Sequence, residues 1–235
     1  MYLNINSEDR TSISNSSTNF EVVLSKTIQD VCCCELSSIT MPNTIYKIIT
    51  GTNDEIHWTH GSSFSFTILP GAYSINNLIS TIQTGMNLAD SNGYTWSYDS
   101  TTFKLTISAI APFILNFSNS KSPYRELGFT NTDTSINTIV TSPNVIDLYN
   151  PFSIYILVSE LGVSGYTSSN NQWTFRIPMT TNSGGIITFD SQSFHPQVVS
   201  FPRQTFNKLN VRLIDSDSNP IDLNGSEWEI LLKFE

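Results

Sequence analysis

The chain has 235 residues, a formal net charge of −9 and only 13% charged residues, while 34 Ser, 26 Thr and 23 Asn supply most of its polarity. That composition excludes a coiled coil or helical bundle, which draws about half its residues from Ala, Glu, Lys, Leu and Arg. Eleven Lys and Arg against twenty Asp and Glu leave no broad basic footprint for nucleic acid. With 39% hydrophobic and 11% aromatic residues the chain can fill a core, and one domain, or one domain with an insertion, is expected at this length. No apolar run approaches the roughly 20 residues of a membrane-crossing helix. The start lacks the basic and apolar regions of a secretory leader, so a soluble protein made in the cytosol is expected.

Residues 1–18 are polar apart from Tyr2, Leu3, Ile5 and Ile13, and are expected to form an extended arm ordered only by a partner. Phe20, Val22 and Leu24 share one face of a first strand. Ile28 to Met41 reads as a strand buried on both faces and closed by Met41-Pro42-Asn43. Within it, Cys32, Cys33 and Cys34 are adjacent, which suits neither a disulfide framework nor a zinc site. Two of them are expected to fill apolar slots while the third faces the other side.

Phe64, Phe66 and Ile68 alternate up to Pro70-Gly71, and Ser74 then caps an amphipathic helix carrying Ile75, Leu78, Ile79, Ile82 and Met86. Gly85 is expected to weaken its last turn by about 1 kcal/mol relative to Ala. Tyr94, Trp96 and Tyr98 pair by pattern with Phe103, Leu105 and Ile107 as a hairpin, Phe113, Leu115 and Phe117 make another strand, and residues 130–144 read as a loop. The second half alternates almost throughout. Its series are Phe152/Ile154/Ile156/Val158, Trp173/Phe175/Ile177, Ile187/Phe189, Val199/Phe201, Leu209/Val211/Leu213 and Trp228/Ile230/Leu232/Phe234. Many short period-two strands with Gly, Pro and Asn turns indicate an all-β sandwich or barrel.

Chemistry-bearing clusters are scarce. His57 and His60 stand three apart, a spacing that favours a surface turn over a metal site. Asp215, Asp217 and Asn219 imitate an EF-hand start, but Pro220 and Ser226 stand where Gly and Glu are needed, so a turn is expected. Asp54, Asp99 and Asp133 are expected as solvated turn residues. No nucleophile elbow, P-loop, dinucleotide fingerprint or zinc-protease motif occurs, so no catalytic residue, cofactor or metal is expected. Tyr94, Trp96, Tyr98, Tyr166 and Trp173 are candidates for a sugar-stacking platform, with core packing the cheaper reading.

The ordered set Ser7-Glu8-Asp9-Arg10, Met41-Pro42-Asn43-Thr44-Ile45-Tyr46, Pro70-Gly71-Ala72-Tyr73-Ser74, Leu127-Gly128-Phe129 and Asn219-Pro220-Ile221-Asp222-Leu223 resembles penton and minor capsid proteins of virophages and large icosahedral DNA viruses. The resemblance implies a single jelly-roll β-sandwich of two facing four-stranded sheets, following an arm at 1–18. It places an insertion with one helix and β-hairpins at about 51–141. It implies a homopentamer closing the five-fold vertices of a capsid assembled in the host cytoplasm, with the major capsid protein and minor or cement proteins as partners. Asp9, Arg10, Pro42 and Tyr46 are the contact residues it suggests. The alternatives are a minor capsid or cement protein, or a β-sandwich head that binds a receptor or glycan.

Overall fold

The structure, a computed structural model, describes residues 1–11, 16–149, 151–193 and 195–235. The expected Ile13 of the arm lies outside the described residues. The chain divides into two units, Met1–Ile45 with Asn150–Glu235, and Tyr46–Tyr149.

The first unit is an all-β sandwich built on two long strands that each change sheet. β1 (Tyr2–Asn6) is followed by β2 (Asn19–Pro42). In the second unit come β3 (Glu55–His60), β4 (Ser62–Thr67), α1 (Ile75–Ala89), β5 (Thr95–Asp99), β6 (Lys104–Leu115) and β7 (Asn137–Thr141). The chain returns to the first unit with β8 (Ser153–Val158), the short pair β9 (Gly165–Tyr166) and β10 (Gln172–Trp173), β11 (Phe175–Pro178), β12 (Ile186–Asp190), β13 (Gln197–Ile214) and β14 (Glu229–Phe234). All pairings are antiparallel. The start of β2 pairs with the end of β13, which pairs with β8 and then β11. The rest of β2 lies between β14, flanked by β1, and the β12 and early β13 segments. The hydrogen-bonded network therefore folds over on itself to give two four-stranded faces.

The corners follow from local backbone. Asp30 turns β2 with φ of 60°, a left-handed value that Asp tolerates better than most residues. Opposite it, β13 loses register between Ser200 and Gln204 and twice more before Lys208. Arg203 donates to the Asp30 carboxylate at 2.7 Å across the bend. Strands that switch sheets through such bulges are how orthogonal corners are made. One core fills the space between the faces, including Leu36, Ile39, Ile156, Phe175, Val211 and Phe234.

Bulges also correct the reading of Ile28 to Met41. This stretch is not buried on both faces. Leu36 and Ile39, three apart, both point inward because Ser37 is an extra residue between the pairs Leu36↔Leu232 and Ser38↔Leu231. The Glu235 carbonyl accepts from both the Cys32 and Cys33 N–H groups. Only Cys34 is buried as a result, while Cys32 and Cys33 are half-buried, the reverse of the expected two-in, one-out split.

The second unit packs α1 against a five-stranded sheet ordered β4-β3-β6-β5, with β7 on the other side of β6. Ser74 caps the helix as expected, accepting from the Asn77 N–H at 3.3 Å. Gly85 has a packing reason beside its helix propensity. A Cβ there would sit 2.4 Å from the Phe66 ring, so glycine is what lets β4 approach the helix. Three further expectations change. Residues 137–141 of the supposed loop form β7. Phe103 is an exposed turn residue with φ of 58°, and Phe113 and Leu115 belong to the same strand as Leu105.

Side-chain amides act as peptide groups throughout. Asn87 exchanges two hydrogen bonds with the Tyr94 backbone, at 2.7 and 2.8 Å. Asn92 does the same with Ala111, and Gln197 with Arg176. A share of the high amide content thus satisfies backbone that no strand reaches.

Candidate subunit interface

The suggested contact residues have different fates. Residues 1–11 are not an arm awaiting a partner. β1 pairs residue for residue with β14 from Tyr2↔Lys233 to Asn6↔Glu229, and Ile5 is buried in the core. The polar sequence concealed this because only Leu3 and Ile5 of the strand point inward.

After β1, Ser7–Asp9 forms a single 3-10 turn opened by Asn6, whose side chain accepts from the Glu8 N–H. Arg10 is turned back into the fold. Its guanidinium meets both Glu227 oxygens at 2.8 Å and the Ser7 carbonyl at 2.7 Å. The Ser7 hydroxyl donates to Glu227 and accepts from the Trp228 N–H at 2.9 Å. Burial pushes the Glu227 carboxyl up, but the Ser7 and Arg10 hydrogen bonds and the Arg10 charge outweigh it and hold the group below its ordinary value. Arg10 is thus committed within its own chain, while Asp9 beside it remains exposed.

Pro42 ends β2, half-buried and opposite the exposed Ile186 of β12. Tyr46 is exposed at the start of the second unit. Sequence patterning missed the most exposed apolar side chain among the described residues of the first unit. Phe152 has the parity of Ile154 and Ile156, yet it precedes β8 and is 89% exposed. Tyr166, Ile186 and Val198 are also exposed. Apolar side chains left in solvent are the raw material of subunit contacts.

The polar clusters are structural. His57 and His60 lie on β3, not in a surface turn. His57 meets Glu55 at 2.9 Å, and Glu55 also takes Lys121 at 2.9 Å. His60 meets Asp90 at 3.0 Å, where the Tyr94 hydroxyl donates at 2.7 Å and the Trp58 indole at 3.4 Å. Burial raises the Asp90 carboxyl, and its Tyr94, His60 and Trp58 hydrogen bonds together bring it below its ordinary value. Asp90 also closes α1, its N–H donating to the Met86 carbonyl. Among the described residues no group of three or more His, Cys, Asp or Glu could hold a metal ion. Asp215 accepts from the Asp217 and Asn219 N–H groups in a turn, as its sequence suggested. Asp54, expected to be solvated, is buried and accepts from the Gly51 N–H. Tyr94 and Trp96 are buried in the core of the second unit and offer no face to a sugar.

No protein-family model matches the chain, and no curated protein does. Solved structures do match. The mavirus penton protein, crystallised in selenomethionine-labelled form, is similar over 100% of this chain and 98% of its own, with a TM-score of 0.54 and 12% identity. The chain has a penton-type jelly-roll fold. At this identity the likeness concerns architecture, and it extends through both units. No helix among the described residues is long and apolar enough to cross a membrane.

Proposed function

We propose that this protein is a viral capsid protein of the penton type, a structural component of the virion with no catalytic role. The carrying observation is the end-to-end correspondence with a penton protein, which includes the inserted unit as well as the sandwich. Five copies form a closed ring at each five-fold vertex, each using one patch against a different patch of the next copy. Low charge reduces the repulsion between copies, and the exposed Phe152, Ile186 and Val198 supply apolar area for burial. Asp9, the Pro42–Ile186 corner and Tyr46 are the outward contacts. Arg10 acts indirectly by fixing the turn that presents Asp9. The neighbours are the major capsid protein and minor or cement proteins of a virophage or large icosahedral DNA virus, assembled in the host cytoplasm.

The test is the solution mass, measured by light scattering over a concentration series. Five copies of a 26.2 kDa chain give about 131 kDa. A pentamer supports the vertex role. A strict monomer that enters particles away from the vertices replaces it with the minor capsid reading, which the same fold serves. A glycan-binding head is disfavoured by the burial of Tyr94 and Trp96.

A further inference from the structure

The edges of the sheet in the second unit are treated unequally. At the start of β5 three outward backbone groups are occupied by side chains of α1. Asn87 pairs with both Tyr94 groups, and the Gln83 side chain accepts from the Trp96 N–H at 2.9 Å. β7 forms the opposite edge. The Ser142 N–H donates to the Leu105 carbonyl at 2.8 Å, which sets the alternation. Val140 therefore aims its N–H and C=O at Ile107, while those of Ile139 and Thr141 point away from β6. Among the described residues, the one bond to these outward groups runs from the Ile139 N–H to the Asn137 side chain, at 3.4 Å.

Of the usual edge defences the surrounding sequence carries only Pro143, which lies two residues beyond the end of β7. Residues 134–146 contain no charged residue, in a chain of net charge −9. Ile136, Ile139 and Val145 expose 67, 58 and 53% of their surface. Natural edges are normally blunted by charge, Pro or cover, and an uncharged apolar edge is a template for another strand.

We propose that β7 is a self-pairing edge, which adds antiparallel to β7 of a second copy about a two-fold axis centred on Val140. The outward N–H and C=O of Ile139 then exchange hydrogen bonds with those of Thr141 in the other copy, and the reverse pair does the same. The outward groups of Ile139 and Thr141 in both copies are then satisfied. A second copy is the fitting occupant on grounds of charge, since this uncharged run is where two acidic molecules meet with least repulsion. The contact goes beyond the five-fold ring proposed above, because it joins one ring, or one monomer, to another.

Sedimentation velocity over a concentration series tests it on the wild type, Ile139→Lys and Thr141→Pro, together with amide hydrogen exchange. Ile139→Lys puts a charge on an exposed side chain of the edge strand, and Thr141→Pro removes an outward N–H along with the Thr141 hydroxyl that meets Thr106. The wild type is expected to show twofold increments in mass, with the Ile139 and Thr141 amides protected more strongly at high concentration. Each variant is expected to weaken that association on the order of tenfold or more, since every change is felt twice across the axis. Unchanged association in both variants overturns the proposal. So do amides that exchange equally fast at both concentrations, or a wild type without twofold increments. The number of chains in the smallest assembly is read separately, so loss of the ring and loss of the β7 contact are distinguishable.

Discussion

Ser7→Ala tests whether the first ten residues belong to the sandwich. Ser7 is buried, and its hydroxyl both donates to Glu227 and receives the buried Trp228 N–H. Removing it leaves that N–H without its side-chain acceptor, a loss of about 1–3 kcal/mol, and deletes one hydrogen bond to a charged group. The combined cost is about 2–4 kcal/mol. Arg10→Ala removes a guanidinium that is a quarter exposed and leaves Glu227 with Ser7, so about 1 kcal/mol is expected. Equilibrium urea unfolding of the two variants and the wild type checks the order. With a slope of about 2–3 kcal/mol per molar urea, Ser7→Ala shifts the midpoint by roughly 1 M. The refuting results are a Ser7→Ala within about 0.5 kcal/mol of wild type, or an Arg10→Ala that costs more than Ser7→Ala. Either result would return residues 1–10 to the status of a detachable arm.

Glu227 also gives a pH dependence. Its folded-state acidity is strengthened, so its contribution is present above the ordinary carboxylate range and is lost as pH falls through the folded value. Urea midpoints should drop below about pH 4, with a shallower drop in Glu227→Gln. Gly85→Ala should destabilise by about 1 kcal/mol, because overpacking against Phe66 exceeds the helix gain. In a Phe66→Ala background the same change should stabilise by about as much, and two changes of the same sign would refute the close-approach argument. Asn87→Leu, which strips both partners from the Tyr94 backbone, should cost about 2 kcal/mol by thermal or urea unfolding.

Period-two patterning located most strands because their inward residues are large and their outward ones Ser, Thr or Asn. The helix was legible from Ser74 and the Ile/Leu/Met spacing. Legibility failed where two residues opposed one. The bulges at Ser37 and at Cys32 and Cys33 shift parity in mid-strand, so the alternation there looked like a strand buried on both faces. β1 and β7 were missed because strands of five residues at a sheet edge need few apolar positions. Gly85 carried the propensity signal of a weak turn, while its reason lies across the unit in Phe66. At the candidate interface, Phe152 was misassigned because parity continues past the end of a strand although burial does not. Arg10 looked free because its partner, Glu227, is 217 residues away.

The amides on Tyr94, Ala111 and Arg176 act differently from a charged edge guard. Lysine protects an edge by repulsion, which salt screens. Gln197 protects Arg176 by occupancy alone, filling the place of one peptide group without opposing an arriving strand. Its protection is thus a competition between two neutral ligands for the same donor and acceptor, indifferent to ionic strength and set by the number of hydrogen bonds a rival can add. A short rival gains little over the tethered amide. A longer one, matching several residues of β11 at once, displaces it, so the stopper selects for the length of its challenger.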